Sequence, residues 1–298
     1  NTIMINNIKK GIFIIILATF FFSIMDGVSR YLAETYNVFV INMLRSWVLV
    51  LIVISISLRK KNGLRQVAKT SQPLLQITRG ILLISAICIG VYSFTKLGLV
   101  QTHSILSCYP LIVVALSGPI LKEKIGIQRW LAVLFGFFGV LIILDPSTFI
   151  ITFDAILPLL GALILGSYAI LTRKASEKDS SETSFFWVAI IGCIVMTFIG
   201  PFYWEPIFIQ DWGWLALLCI LSTTGHFLFI KAFENAEASV LQPFTYLQFF
   251  FASIIGIFIF NDQITLPILI GGALVVGSGI FAAWRNHKNN QSTLTSKI

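Results

Sequence analysis

Stretches of roughly 20 apolar residues, the length with which an α-helix crosses a hydrocarbon layer of ~30 Å, recur along the whole of this 298-residue chain. Short segments that carry charges, proline or glycine separate them. The pattern predicts an all-α integral membrane protein with ten transmembrane helices. The predicted helices cover residues 11–32, 38–58, 77–96, 100–121, 127–144, 154–173, 184–203, 213–232, 238–260 and 265–285.

The composition excludes a soluble globular domain and a disulfide scaffold. Hydrophobic residues make up 57% of the chain and charged residues 11%, whereas soluble domains are roughly 45–50% apolar and about 25% charged. The four cysteines lie inside apolar runs without metal-ligand spacing, so we expect free thiols and predict no metal or cofactor. Lys9 and Lys10 precede the first apolar run, but no small-residue cleavage site follows, so this run is interpreted as a retained helix and not as a signal peptide.

The distribution of basic residues predicts the orientation of the helices. Lys and Arg number 21 against 13 Asp and Glu, a formal net charge of +8. With ten spans and an inside N-terminus, 18 of the 21 fall on the inner side, and only Arg30, Arg45 and Lys96 do not. The positive-inside rule therefore predicts a multi-pass protein of the inner or plasma membrane, with a cytoplasmic N-terminal tail over 1–10 and a cytoplasmic C-terminal tail over 286–298. We expect the polar C-terminal tail to be disordered, and the basic surplus does not indicate a nucleic-acid partner.

An internal repeat relates the two halves of the chain. Residues 102–144 align with residues 241–283 at a fixed offset of 139 residues, which places Glu123 on Asp262. Each half contains five predicted helices, an odd number, so the second copy must be inverted in the membrane. Inverted repeats are common in secondary transporters, whose substrate sites lie near the midplane between the halves.

The same segments resemble a known family. RGILLISAICIGVYSFTKLGLVQTHSILSCYPLIVVALSGPILKEKIGIQRWLAVLFGFFGVLIILDP and LQPFTYLQFFFASIIGIFIFNDQIT resemble the two half signatures of the EamA family, in the drug/metabolite transporter superfamily. FFFSIMDGVSRYL and the arginine of VINMLRSW are similar to one branch of it. Within that branch, TSQPLLQITRGILL and Gln128–Trp130 are similar to S-adenosylmethionine uptake transporters, although riboflavin and amino-acid transporters share the general pattern. The resemblance covers residues 11–285 and implies a first repeat over 11–145 and a second over 154–285.

Ionisable residues inside the predicted spans are the first functional candidates, because a charge within a bilayer is costly. Asp26 and Arg30 lie one turn apart on the first helix, and Arg45 lies at a similar depth on the second. One interpretation is a structural ion pair of Asp26 and Arg30 that locks these helices. The other is that Asp26 titrates or binds a cationic group of the solute, while Arg30 or Arg45 binds a carboxylate.

Polar residues next to prolines indicate a central site. Pro110 and Pro243 each remove a helical hydrogen bond in the predicted fourth and ninth helices. Polar residues accompany both prolines, and those of the two helices coincide under the 139-residue offset; they are His103 and Ser107, and Gln242 and Tyr246. Tyr92 lies in a polar stripe of the third helix, which ends in Lys96, a residue expected to snorkel toward the interface.

Three further spans contribute candidates, each with a structural alternative. His226 is the histidine well inside the eighth helix, where it serves either solute binding or packing. Trp187 and Tyr168 offer stacking surfaces. Glu123 and Asp262 lie at loop ends, where we expect N-terminal capping of the helices that follow them. The complete predicted substrate-binding set is Asp26, Arg45, Tyr92, His103, Ser107, Trp187, His226, Gln242 and Tyr246, with Asp26 and Arg30 as a coupling or ion pair.

These features predict a transporter and not an enzyme. No HExxH, P-loop or GxSxG motif occurs, so no catalytic residue is predicted. The predicted function is secondary transport, by alternating access, of a small polar metabolite such as an amino acid, S-adenosylmethionine or a similar zwitterion. Riboflavin, an organic anion, or a channel function remain alternatives. The expected partners are this solute and the lipid bilayer; proton coupling, direction of transport, and a monomeric or homodimeric state stay open.

Overall fold

The computed structural model describes residues 2–59, 63–121, 126–144 and 153–295. Over these residues the prediction of an all-α protein is confirmed, since they contain helices and connections but no strand. Two short 3₁₀ segments, Gly200–Tyr203 and Ile209–Asp211, connect α8 to α9. The helices are α1 (Thr2–Ala33), α2 (Val38–Leu58), α3 (Gly63–Ala68), α4 (Pro73–Leu106), α5 (Tyr109–Leu121), α6 (Ile127–Leu144), α7 (Phe153–Ala175), α8 (Ser181–Ile199), α9 (Trp212–Asn235), α10 (Ala238–Phe260) and α11 (Leu266–Thr295).

Most of these helices have the length and apolar character of membrane spans. Seven of the described helices are long and apolar enough to cross a bilayer, and three shorter ones are also apolar. Large apolar side chains face outward along them: Phe138 is 51% exposed and Phe258 is 80% exposed. Such a surface is stable in lipid, where it needs no cover from water. The shorter apolar helices are Tyr109–Leu121, Trp130–Leu144 and Leu266–Phe281.

Helix α4 is a hairpin of two helical arms and not one straight rod. Its turn is at Gly98, which has φ 78° and ψ 173°, a conformation that glycine adopts readily because it lacks a Cβ. A Cβ placed on Gly161 would lie 3.2 Å from Ile89 and 3.4 Å from Leu106, although a straight helix would separate those two residues by roughly 25 Å. The chain therefore reverses at Gly98, and the two arms cover residues 73–97 and 99–106.

The structure corrects several predicted boundaries. The predicted helix 100–121 is interrupted between α4 and α5, where Pro110 cannot donate a hydrogen bond to the carbonyl of Leu106. Pro243, in contrast, lies inside the continuous helix α10. The tail predicted to be disordered from residue 286 is helical as far as Thr295, because no proline or glycine follows Gly279 to end α11.

Side-chain contacts define two ends of the bundle. At one end, which we call the Arg30 end, Tyr36 Oη donates to Asp211 Oδ2 at 2.6 Å, which fastens the α1–α2 connection to the segment before α9. At the opposite end, the Gln76 end, Gln76 Nε2 donates to Asp179 Oδ2 at 2.7 Å, which fastens the start of α4 to the α7–α8 connection. Between these ends α1 packs on α9 and α10, α4 packs on α7 and α8, and α6 packs on α11.

Candidate functional site

A cavity lined largely by interior residues lies between the two ends of the bundle, and its atom-free space, counted together with the open solvent at its mouth, is about 710 Å³. Four residues of the predicted set line it, namely Asp26, Arg45, His103 and His226. The structure thus brings together polar residues from α1, α2, α4 and α9. A few converging polar groups within apolar walls are typical of a small-molecule site. Those walls include Phe22, Met25, Phe94, Tyr109, Tyr168 and Phe229.

The Asp26 carboxylate is the point where α1, α4 and α10 meet. Gln248 Nε2 donates to Asp26 Oδ2 at 2.9 Å, and His103 Nε2 lies 3.1 Å from the same oxygen. The His103 contact has an ion-pair distance but lacks the alignment of a hydrogen bond. Because both contacts use Oδ2, they leave Oδ1 for a ligand. Ser23, one turn earlier on α1, donates its hydroxyl to the carbonyl of Thr19 at 2.8 Å and also lies 3.2 Å from the carbonyl of Gln248 on α10.

The side chains of Arg45 and His226 line the same cavity and contain polar atoms without a hydrogen-bond partner among the described residues. Both are buried, and Arg45 Nη1 and both ring nitrogens of His226 have no hydrogen-bond partner among the described residues. An unpaired buried polar group costs about 1–3 kcal/mol. A polar solute that paired with these groups would recover that free energy, which makes the cavity suited to a polar ligand.

A smaller cavity adjoins the first and contains two more of the predicted residues, Ser107 and Tyr246. Its atom-free space, open solvent included, is about 300 Å³, and it shares His103, Tyr109 and Gln248 with the main cavity. The Ser107 hydroxyl is already used, because it donates to the carbonyl of His103 at 2.6 Å. The Tyr246 hydroxyl is buried without a hydrogen-bond partner among the described residues, and it lies against α11, where a Cβ on Gly279 would be 1.8 Å from it.

Three predicted residues lie outside both cavities. Tyr92 is 37% exposed, and its hydroxyl lies 3.4 Å from Asp154 Oδ1. Trp187 Nε1 donates to the carbonyl of Ala68 at 3.1 Å, so this ring anchors the segment before α4. Gln242 is buried, and its amide has no partner among the described residues, but it does not line either cavity.

The structure does not show the contact between Asp26 and Arg30 that was one of the two interpretations of these residues. Arg30 Nη1 instead contacts Asp262 Oδ1 at 2.7 Å, because Arg30 lies one turn nearer the end of α1, where the α10–α11 connection approaches. Asp262 also does not cap the helix that follows it. Its carboxylate accepts hydrogen bonds from the backbone N–H groups at the start of the second arm of α4. Glu123, its partner in the repeat, lies outside the described residues.

Two polar residues of the interior were not among the predicted site residues. Gln248 carries only a weak signal in the sequence, an amide within an apolar span that also contains Gln242. Arg79 was counted among the inner basic residues, yet its side chain is fully buried. Its Nε donates to Thr172 Oγ1 at 3.1 Å, and its guanidinium lies 5.5 Å from the centre of the Tyr168 ring, a wall of the main cavity. In the described part of the chain, no three His, Cys, Asp or Glu side chains are grouped as metal ligands.

Comparison with known proteins identifies the family. A model of the EamA-like transporter family matches residues 9–145 and 152–284. The chain belongs to the EamA-like transporter family. It is a multi-pass membrane protein, and the relatives of this EamA-like protein carry transporter names.

Two curated relatives and one solved structure illustrate the similarity. A protein of Rickettsia prowazekii (strain Madrid E) named S-adenosylmethionine uptake transporter is 28% identical over 276 residues, which are 91% of each chain. A riboflavin transporter of Vibrio cholerae is 25% identical over 281 residues, 91% of this chain and 92% of the relative. A solved crystal structure matches with a TM-score of 0.68 at 14% identity, over 92% of this chain and 97% of that chain, and this likeness shows the fold alone.

Proposed function

We propose that this EamA-like protein transports a small zwitterionic metabolite across the inner membrane by alternating access, with the cavity around Asp26 as its solute site. One observation carries the proposal. A single interior cavity contains both a carboxylate with an available oxygen, Asp26, and a guanidinium with an available donor, Arg45. A solute with a cationic group and a carboxylate pairs with both, so that no charge remains buried without a partner.

The aromatic residues in the cavity wall indicate which classes of solute the cavity fits. Phe94, Tyr168 and Phe229 offer ring faces on which an aromatic group of the solute stacks. An amino acid or S-adenosylmethionine would use both charged residues, and a solute with an aromatic base would use the rings as well. A flavin or an organic anion would use the rings and Arg45 but would leave Asp26 without a cation. The name of the Rickettsia relative supports the first class, and that of the Vibrio relative the second.

The proposed architecture is ten crossings in two inverted five-helix repeats, over 11–145 and 154–285, with both termini cytoplasmic. The reversal at Gly98 supports it, because the first arm of α4 then forms one crossing, and its second arm together with α5 forms the next. The two separate stretches that match the family model also support it. In this architecture the site lies between the repeats, because Asp26, Arg45 and His103 belong to the first and His226 and Gln248 to the second.

Uptake by proteoliposomes tests this function. We expect saturable uptake of a zwitterion from a panel of amino acids and S-adenosylmethionine, accelerated by the same solute inside the vesicles, which a channel would not show. Asp26→Asn should reduce uptake about 30-fold or more, since losing one partner of a buried charged contact costs roughly 2–5 kcal/mol. Asp154→Asn is the matched control, because Asp154 lies outside the cavity, and it should leave uptake unchanged.

Substrate analogues separate the roles of the two charges. Consider a solute analogue that lacks the carboxylate. Asp26→Asn should still take it up more slowly than the wild type does, whereas Arg45→Gln and the wild type should transport it at the same rate. Thermal unfolding with each solute checks binding directly, since a ligand of the folded state raises its stability. Uptake by Asp26→Asn at the wild-type rate, or a panel without any stabilising zwitterion, contradicts the proposal.

A further inference from the structure

A largely buried cluster at the Arg30 end, in which the Arg30 side chain is 13% exposed and that of Asp262 9%, joins three elements through one carboxylate that the solute site does not use. Asp262 Oδ1 accepts a hydrogen bond from Arg30 Nη1 at 2.7 Å. Asp262 Oδ2 accepts from the backbone N–H groups of Leu99 at 2.7 Å and Val100 at 3.1 Å. These atoms come from α1, from the second arm of α4 and from the α10–α11 connection. We call these four residues the Asp262 clasp.

Further contacts support the clasp. The Arg30 guanidinium lies over the Phe260 ring, 4.2 Å from its centre. The backbone N–H of Asp262 donates to the carbonyl of Gly256 at 2.9 Å, which fixes the turn after α10. A carboxylate at a helix N-terminus is also favoured by the helix dipole, and hydrogen bonds between charged groups are the stronger kind. The clasp therefore differs from a mobile ion pair on a surface.

The clasp lies directly beyond the solute cavity. Asp26 precedes Arg30 by one helical turn on α1, and His103 follows Leu99 by one turn on α4, so each cavity residue is ~6 Å along the helix axis from the clasp. The Gly98 turn closes the same end, and a Cβ there would lie 2.7 Å from Asp262 Oδ1. The clasp therefore lies one helical turn from the cavity, on its side toward the Arg30 end.

The residues between the clasp and the cavity form a layer that is closed to solvent but contains polar groups. Ser29 is 1% exposed and Thr102 is 0% exposed, and Leu99 and Val100 beside them are equally buried. The hydroxyl oxygens of Ser29 and Thr102 have no hydrogen-bond partner among the described residues. Unpaired hydroxyls in a closed apolar layer are unfavourable, whereas in an open path they would contact water or the passing solute.

We propose that the Asp262 clasp is the gate that closes the solute cavity at the Arg30 end. Opening separates Asp262 from Arg30 and from the amides of Leu99 and Val100, so that the second arm of α4 moves away from α1 and the Ser29–Thr102 layer becomes accessible. The gate deepens the proposed transport function and rests on it, but its opening is measurable without any transported solute.

Cysteine accessibility tests the gate. The four native cysteines are replaced by alanine, and Thr102→Cys serves as the reporter, with Ser29→Cys as a second reporter if the first impairs folding. A membrane-impermeant methanethiosulfonate is applied to sealed vesicles of each orientation. Reaction rates are compared among the parent, Asp262→Asn, Arg30→Gln and Glu34→Gln. Glu34 is the matched control, because it also approaches Arg30, at 3.6 Å, but its side chain is 50% exposed and is not part of the clasp.

We expect Asp262→Asn and Arg30→Gln to label about tenfold faster or more, and only from the side of the Arg30 end, because they shift the closed gate toward its open form. Glu34→Gln should label at the parent rate. A further reporter at the Gln76 end, Ser184→Cys, should be unaffected, which separates gate opening from general loosening.

Unchanged labelling in both clasp variants overturns the gate, as does faster labelling of Ser184→Cys or faster labelling from both sides. Faster labelling at Thr102→Cys without uptake of any solute in the panel supports the gate and counts against the transport function. Normal uptake together with unchanged labelling counts against the gate alone.

Discussion

One oxygen of the Asp26 carboxylate contacts side chains from two other helices, and the other oxygen is left to the cavity. Gln248 is the positioning residue in this arrangement, since its amide fixes the carboxylate by donating to Oδ2 at 2.9 Å. His103 approaches the same oxygen but is not aligned as a hydrogen-bond donor. The orientation of Asp26, and with it the proposed affinity for a cationic group, thus depends on an amide from the opposite half of the chain.

Replacing Gln248 tests this dependence. We expect Gln248→Leu to raise the KM for uptake about tenfold, because a hydrogen bond to a charged group contributes roughly 1.5–3 kcal/mol. Gln242→Leu is the matched control on the same helix. Its amide is buried without a partner among the described residues, so the change should leave KM unaltered and keep the thermal stability equal or raise it. Equal KM values for wild type and Gln248→Leu would show that Asp26 is oriented without Gln248.

At the scale of the element, α6 and α11 pack with their backbones in close approach. A Cβ on Gly139 would lie 2.7 Å from the carbonyl oxygen of Gly271, closer than any side chain tolerates. Small residues permit such approach between membrane helices, where dispersion contacts supply most of the attraction. The two helices are the last of each proposed repeat, so their contact joins the halves.

The close approach makes a distinct prediction for stability. Gly139→Ala should lower the melting temperature of the purified protein, since an added methyl group in a packed contact costs about 1–3 kcal/mol. Gly277→Ala is the control on α11, because a Cβ there has no atom within 4 Å, and alanine is also the better helix former. A thermal unfolding scan in detergent compares them, and equal melting temperatures would mean that α6 and α11 separate easily.

At the scale of the whole molecule, the asymmetry of charge predicts which end faces the cytoplasm. The connection 200–211, at the Arg30 end, contains no Lys or Arg, whereas basic residues cluster between α2 and α4. The positive-inside rule then places the Arg30 end outside.

Labelling of intact cells checks this orientation. A cysteine at the exposed Gln210 should react with an impermeant reagent added to the outside, and a cysteine at the exposed Gln66, in α3, should react only after permeabilisation. Both variants use the background without native cysteines. The reverse pattern of labelling would invert the proposed topology and, with it, the side on which the clasp opens.

Much of the helical architecture follows from local sequence. Runs of apolar residues must form helices in lipid, because no other structure satisfies every backbone group within one segment. For that reason the predicted helices agree with α2, α6 and α7 to α10 within several residues, whereas α1 begins at Thr2 and not at residue 11. The break between α4 and α5 and the length of α11 depended on how the chain packs or continues, which apolar periodicity does not encode.

Part of the candidate site also follows from the sequence, and part depends on the tertiary structure. Polarity inside an apolar span marks Asp26, Arg45, His103 and His226 in the sequence, and the structure gathers all four around one cavity.

The sequence does not predict which of these side chains contact one another, because such contacts depend on distances between helices that are far apart in the chain. Sequence spacing suggested a pair of Asp26 and Arg30, which lie one turn apart. In the tertiary structure Asp26 instead contacts Gln248, and Arg30 contacts Asp262. The sequence by itself determined the position of most helices, the buried charges of Asp26 and Arg45, and the family. Only the packing of helices decided which charges meet, since a side chain pairs with whatever the fold brings within about 3 Å of it.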